Sequence, residues 1–149
     1  MADYVATVEW QADGGFTEGR YSRAHRLIFD GGAVVPGSSS PHVVPVPMSN
    51  PAGVDPEEAL IASASACHML WFLHLARDAG LDVARYCDEA RGPRGRDDRG
   101  RMAITRIVLR PDIAFNGAGP DAETLERLHH EAHEKCFIAN SLRCEIIVE

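Results

Sequence analysis

The chain has 149 residues, 22 of them acidic and 15 basic, for a formal charge of −7, a length that suits one domain, residues 1–149. That charge argues against a nucleic-acid binder, which shows a net basic face, and against docking on anionic lipid. Hydrophobic residues are 45% and charged residues 25%, an ordinary globular balance able to fill a core. Cys67, Cys87, Cys136 and Cys144 are too sparse for a secreted disulfide scaffold, and none stands in a C-x-x-C pair that would mark a zinc ribbon or thioredoxin motif. The opening MADYVATVEW has no basic region followed by an apolar run, so no signal peptide is expected. No apolar stretch is read as approaching 18 residues, so no membrane partner is expected either. The expected location is the cytoplasm, where a cysteine pair is more often redox-active or buried than structural.

Residues 3–10 are rich in β-branched and aromatic side chains and read as a strand; Gly14-Gly15 turns the chain, and residues 16–29 read as a second strand ending in a tight FDGG turn. Residues 36–54 hold five prolines and read as an extended loop. A helix begins at Asp55: an acidic cap, Pro56 at the first helical position and an acidic residue two positions on. It continues without a breaker through Ala79, and Gly80 stops it. ALIASASACHMLWFLHLA is apolar nearly all round, so the helix must be buried on most sides. In so small a domain, that calls for a partner subunit over part of it. Residues 82–91 and 101–115 read as strands joined by a polar, glycine-rich turn. A second helix runs from about 121 to 136, with Leu125, Leu128, Ala132 and Cys136 on one stripe, and the last strand is Cys144 to Val148.

Cys67 lies inside the apolar helix and Cys136 on the apolar stripe of the second. Either alone reads most simply as a small buried hydrophobe. On two packed helices they fall within disulfide range only if their Cα atoms come to about 4.4–6.8 Å. His129 and His133, at i and i+4 with Cys136 a turn on, have the spacing of a metal site, though a polar face beside Glu131 and Glu134 is the simpler reading. His68 points about 100° away from Cys67 and reads as a core or interface histidine. Arg91, Arg94, Arg96, Arg99 and Arg101, interrupted by Asp97 and Asp98, read as a solvated hairpin tip. Cys87 and Cys144 read as packing residues on strands.

PEEALIASASAC, Pro56 to Cys67, resembles the signature of the OsmC/Ohr family, in which a proline–glutamate pair opens the central helix and a cysteine follows ten residues after the glutamate. CFIANSLRCEIIVE, from Cys136, resembles that family's second signature, with Phe137 where proline is common and Ala139 where serine is common. The resemblance covers essentially the whole chain. It implies an α+β fold, an intertwined homodimer with a buried central helix packed against antiparallel sheets. It also implies an enzyme, a two-cysteine organic hydroperoxide reductase, in which Cys67 attacks the peroxide, Cys136 resolves it and a dithiol reductant, lipoyl-type among the options, resets the pair. No cofactor and no metal are implied. The family activates its cysteine with an arginine held by a glutamate. Glu57 matches the glutamate; Arg20, from its place after the first turn, is favoured over Arg23 and Arg26 for the arginine. Glu57 and Cys67 stand ten residues apart on one helix, about 15 Å along its axis, so a site using both draws Glu57 from the other subunit. Met69, Leu70, Trp71 and Phe72 are expected to give an apolar lining suited to organic peroxides. The alternative is a non-catalytic dimer of the same fold that binds an apolar small molecule or senses redox state, and a third reading is a metal-binding protein using His129, His133 and Cys136.

Overall fold

The computed structural model describes residues 1–149 as two compact units, Met1–Ala59 and Leu60–Glu149. The first unit is a three-stranded antiparallel sheet, β1 (Ala6–Glu9), β2 (His25–Phe29) and β3 (Val34–Gly37), in that spatial order. Val8, Leu27 and Val35 form one row across it. The second strand is shorter than the expected 16–29. Residues 16–19 turn instead, closed by the Gly19 N–H on Phe16 O at 3.0 Å with Gly19 at φ +73°, a backbone that glycine adopts freely. Arg20 and Arg23 therefore precede β2, and only Arg26 lies in it. β3 reaches into the stretch expected to be loop; Pro36 is tolerated because β3 is an edge strand. The remaining loop is organised by serine hydroxyls: Ser38 Oγ accepts the Asn50 N–H at 2.9 Å and Ser40 Oγ the His42 N–H at 3.2 Å.

Helix α1 (Pro56–Asp78) starts as the sequence predicts. Asp55 Oδ1 accepts the Glu58 N–H at 2.8 Å while Glu58 Oε2 accepts the Asp55 N–H at 3.0 Å, a reciprocal capping box. It ends where Gly80 takes φ +78° and the Leu81 N–H reaches back to Ala76 O at 3.0 Å. By length and composition this helix is apolar enough to cross a membrane, contrary to the reading of the sequence. The mid-helix serines and His68 interrupt the apolar run without lowering its mean hydropathy below that of a span. Its contacts are those of a core helix: Ser65 donates to Asp88, His68 bonds His129, and its apolar side chains join two protein cores. Within the single chain only Ala64, His68, Phe72 and Ala76 of the helix are buried, one residue per turn, rather than most of its sides.

The second unit pairs β4 (Val83–Asp88) with β8 (Pro111–Phe115) and β5 (Arg94–Arg96) with β6 (Met102–Ile104), both antiparallel. It pairs β7 (Arg106–Leu109) with β9 (Glu145–Val148) in parallel, so the sheets are not all antiparallel. The chain between β7 and β9 passes through β8, α2 (Ala122–Lys135) and α3 (Phe137–Ser141), a crossover long enough to bring β9 back in the same direction. The polar turn at 92–101 contains β5, and 101–115 is three strands instead of one. Phe72 and Ala76 of α1 pack with Leu128 and Ala132 of α2 in one core, and Ala64 packs with Ile107 and Leu109 in another. Gly92 lies against α1 so closely that a Cβ there would stand 2.8 Å from Ile61.

Candidate active site

Cys136 is not on the stripe of the second helix. It takes an extended backbone (φ −70°, ψ 110°) between α2 and α3 and caps the latter, its Sγ accepting the Ala139 N–H at 3.4 Å. The sulfur stands where an oxygen usually satisfies a first-turn amide. It is buried, at 1% exposure. Cys67, on α1, is half-buried. The structure brings the two together: burial first, and then the neighbouring Cys67 sulfur, push the Cys136 thiol up to about 11 against the opposing pull of the Ala139 N–H. All four cysteines are free thiols. At neutral pH Cys136 is thus a protonated thiol beside a more accessible one. Trp71, one turn beyond Cys67, and Phe137, next to Cys136, meet edge to face with centroids 5.9 Å apart. Phe137 is exposed, Met69 and Trp71 are half-buried and Leu70 is exposed. Phe72 does not line this region. Four consecutive helical residues point to different sides, and Phe72 faces the core, stacked on His129 at 4.5 Å.

Sequence reasoning missed a polar cluster next to the pair. His68, 1% exposed, places Nε2 3.0 Å from His129 Nδ1. Burial, then the neighbouring His129 and His133, lower it to about 4, against a raising effect of Asp88. Burial likewise lowers His129. Asp88 accepts the Ser65 hydroxyl and the Arg110 N–H, the latter at 2.6 Å. The i,i+4 histidines signalled a special α2 face, but nothing local to the sequence pairs residues 68 and 129. His129, His133 and Cys136 do not converge, and no three His, Cys, Asp or Glu side chains form a metal cluster.

Arg20 and Glu57 belong to the first unit. Arg20 is exposed and Glu57 half-buried. Arg23 is half-buried, stacks 3.6 Å from the Tyr21 ring centroid and donates to Tyr21 O at 2.6 Å; Arg26 pairs with Glu9 at 3.3 Å. Cys144 packs beside the Ile107–Leu109 core, whereas Cys87 is exposed on β4 and is not a packing residue. It stands on the alternate position of a strand whose other face meets the core. In the second unit, a cavity of about 620 Å³ has Ile113, Phe115, Leu125, His129, His133 and Glu126 among its lining residues.

No curated protein matches the chain. Among solved structures it is similar to an OsmC-like protein of unknown function from Vibrio cholerae, 47% identical, covering 100% of this chain and 99% of that one at a TM-score of 0.97. An organic hydroperoxide resistance protein from Elizabethkingia anophelis (20% identity, 99% and 94% covered, TM-score 0.68) shares the fold. So does a putative organic hydroperoxide resistance protein from Vibrio cholerae, with captopril bound in one of its active sites (20% identity, 100% and 91% covered, TM-score 0.69). The family model for OsmC-like proteins matches residues 49–149, a span that holds both cysteines and both signature runs, and the chain therefore belongs to the OsmC-like family.

Proposed function

We propose that the protein is a cytoplasmic thiol peroxidase that reduces organic hydroperoxides to alcohols, with residues 1–149 acting as one domain in a homodimer. The observation that carries this reading is the pairing of a half-buried Cys67 with a buried, protonated Cys136. The accessible thiol suits attack; the buried one suits resolution. The Cys67 thiol gives up its proton and the thiolate attacks the distal peroxide oxygen; the O–O bond breaks, the alkoxide takes up that proton and leaves as the alcohol, and the sulfur is left as a sulfenic acid. The Cys136 sulfur then attacks the Cys67 sulfur; the S–O bond breaks, water leaves with the Cys136 proton, and a disulfide forms. A dithiol reductant, for which a lipoyl type is one option, exchanges with that disulfide. Met69, Leu70, Trp71 and Phe137 would favour a substrate with an apolar tail.

The thiolate needs a cation. Arg20 is favoured for this role, held by Glu57. Because Glu57 and Cys67 lie about 15 Å apart along one helix, Glu57 would serve the partner subunit's Cys67. The cavity that Ile113, Phe115 and Leu125 line together with His129 and His133 favours a second reading, a non-catalytic OsmC-like dimer that holds an apolar small molecule or senses redox state. Turnover separates them. With cumene hydroperoxide and a dithiol, the wild type consumes peroxide continuously, and Cys67→Ser does not. If Cys67→Ser turns over as the wild type does, the peroxidase reading fails.

A further inference from the structure

The mechanism above uses neither His68 nor His129, yet both flank the cysteines. His68 follows Cys67 on α1. His129 lies on α2 seven residues before Cys136, two turns or about 10 Å. Their rings lie nearly parallel, 5.3 Å between centroids at 7°, joined by the 3.0 Å contact of Nε2 with Nδ1. Phe72 also stacks on His129, with centroids 4.5 Å apart. The pair is held at a cost to the core. His68 Nδ1 is buried with no hydrogen-bond partner, as is the Tyr86 hydroxyl on β4, and buried polar atoms without partners destabilise a fold. Two apolar side chains would join α1 to α2 without that cost, but without fixing their register, because apolar contacts are not directional.

We propose that the His68–His129 hydrogen bond is a positioning tie that holds α1 in register with α2, keeps Cys67 opposite Cys136, and so governs how fast the disulfide closes. This rests on the reading of the two cysteines as an attacking and resolving pair. The tie acts on the second step, where two protein sulfurs must meet, and not on the first, where a mobile peroxide comes to Cys67.

The two ring nitrogens can be imitated separately. The side-chain amide of Asn falls where Nδ1 of histidine stands, and that of Gln falls where Nε2 stands. His129→Asn therefore retains the hydrogen bond and His129→Leu removes it at similar bulk. The fully reduced proteins are mixed with one equivalent of cumene hydroperoxide, quenched at intervals and weighed intact, so that sulfenic acid and disulfide are followed separately. A parallel series uses diamide, whose N=N bond takes up the two hydrogens of the thiol pair and closes the disulfide without peroxide. The first oxidation proceeds at the wild-type rate in both variants. Closure slows roughly five- to tenfold in His129→Leu, the weight of one hydrogen bond, and stays within about twofold in His129→Asn. Diamide gives the same order. Wild-type closure in His129→Leu, or equal slowing in His129→Asn, overturns the proposal. If peroxide oxidises none of the proteins while the diamide order holds, the peroxidase reading fails and the tie stands. Should His129→Leu not fold, the other ring is changed instead: slow closure in His68→Leu with near-normal closure in His68→Gln supports the tie, and wild-type closure in His68→Leu or equal slowing in both overturns it.

Discussion

The two units bury different things. In the second, the buried residues are Ala64, Phe72, Ala76, Ile107, Val108, Leu109, Leu128, Ala132, Cys136 and His68: a hydrocarbon core with one thiol and one imidazole set into it. In the first, they are Gly37, Ser38, Ser40 and Ser49. Val8 and Phe29 of its sheet, and Tyr4 and Val5 just before it, are exposed, Val8 at 68%. A three-stranded sheet without an apolar core is marginal by itself. The two halves of the proposed chemistry therefore take their precision from different sources. The cysteine pair is fixed by packing inside one unit. The charged residues offered for its activation, Arg20 and Glu57, belong to a unit whose apolar side chains still need a cover, and a second copy of the chain is the cover we propose.

The largest expected effect is in the second unit's core. Phe72→Ala should cost about 3–5 kcal/mol, read from the denaturant midpoint, and Val8→Ala less than about 0.5 kcal/mol if the first sheet is bare. With a second copy over it, the Val8 cost should exceed that figure and the wild-type midpoint should rise with protein concentration. A concentration-independent midpoint with a negligible Val8 cost would break the proposed dimer.

The next effect is acid sensitivity. His68 is depressed from 6.5 to about 4 in the folded chain, so the unfolded chain binds its proton first as pH falls. The stability it contributes is full above pH 6.5 and is lost as pH falls through about 4, roughly 3 kcal/mol in all. His68→Gln keeps a nitrogen at the bonding position and cannot titrate; its stability should fall less over that window. An identical pH profile in the two proteins would show that His68 does not set it.

A smaller effect sharpens the contrast between units. Arg20→Ala should slow the oxidation of Cys67 about tenfold, as one unit of thiol pKa would, without moving the unfolding midpoint. If Arg23→Ala or Arg26→Ala slows it and Arg20→Ala does not, the activating cation is misassigned.

How much was legible in the sequence follows the same division. The start and stop of α1 could be read because capping is local: Asp55, Pro56, Glu58 and Gly80 act within a turn of themselves. The α+β class and the two cysteines could be read from signature runs. The break at Cys136 could not, since a sulfur serving as a helix cap has no propensity signal and Leu125, Leu128 and Ala132 continue the stripe right up to it. The parallel β7–β9 pair and the His68–His129 bond were out of reach because both join residues far apart in sequence. Phe72 was misplaced as lining because one turn of helix distributes four neighbours over all its sides.

The central claim is the division of labour between Cys67 and Cys136, and intact mass after one equivalent of cumene hydroperoxide tests it most directly. The wild type should lose about two mass units as the disulfide forms, Cys136→Ser should gain one or more oxygens, and Cys67→Ser should be unchanged. Oxidation of Cys67→Ser with Cys136→Ser left unchanged, or no mass change in the wild type, would contradict it.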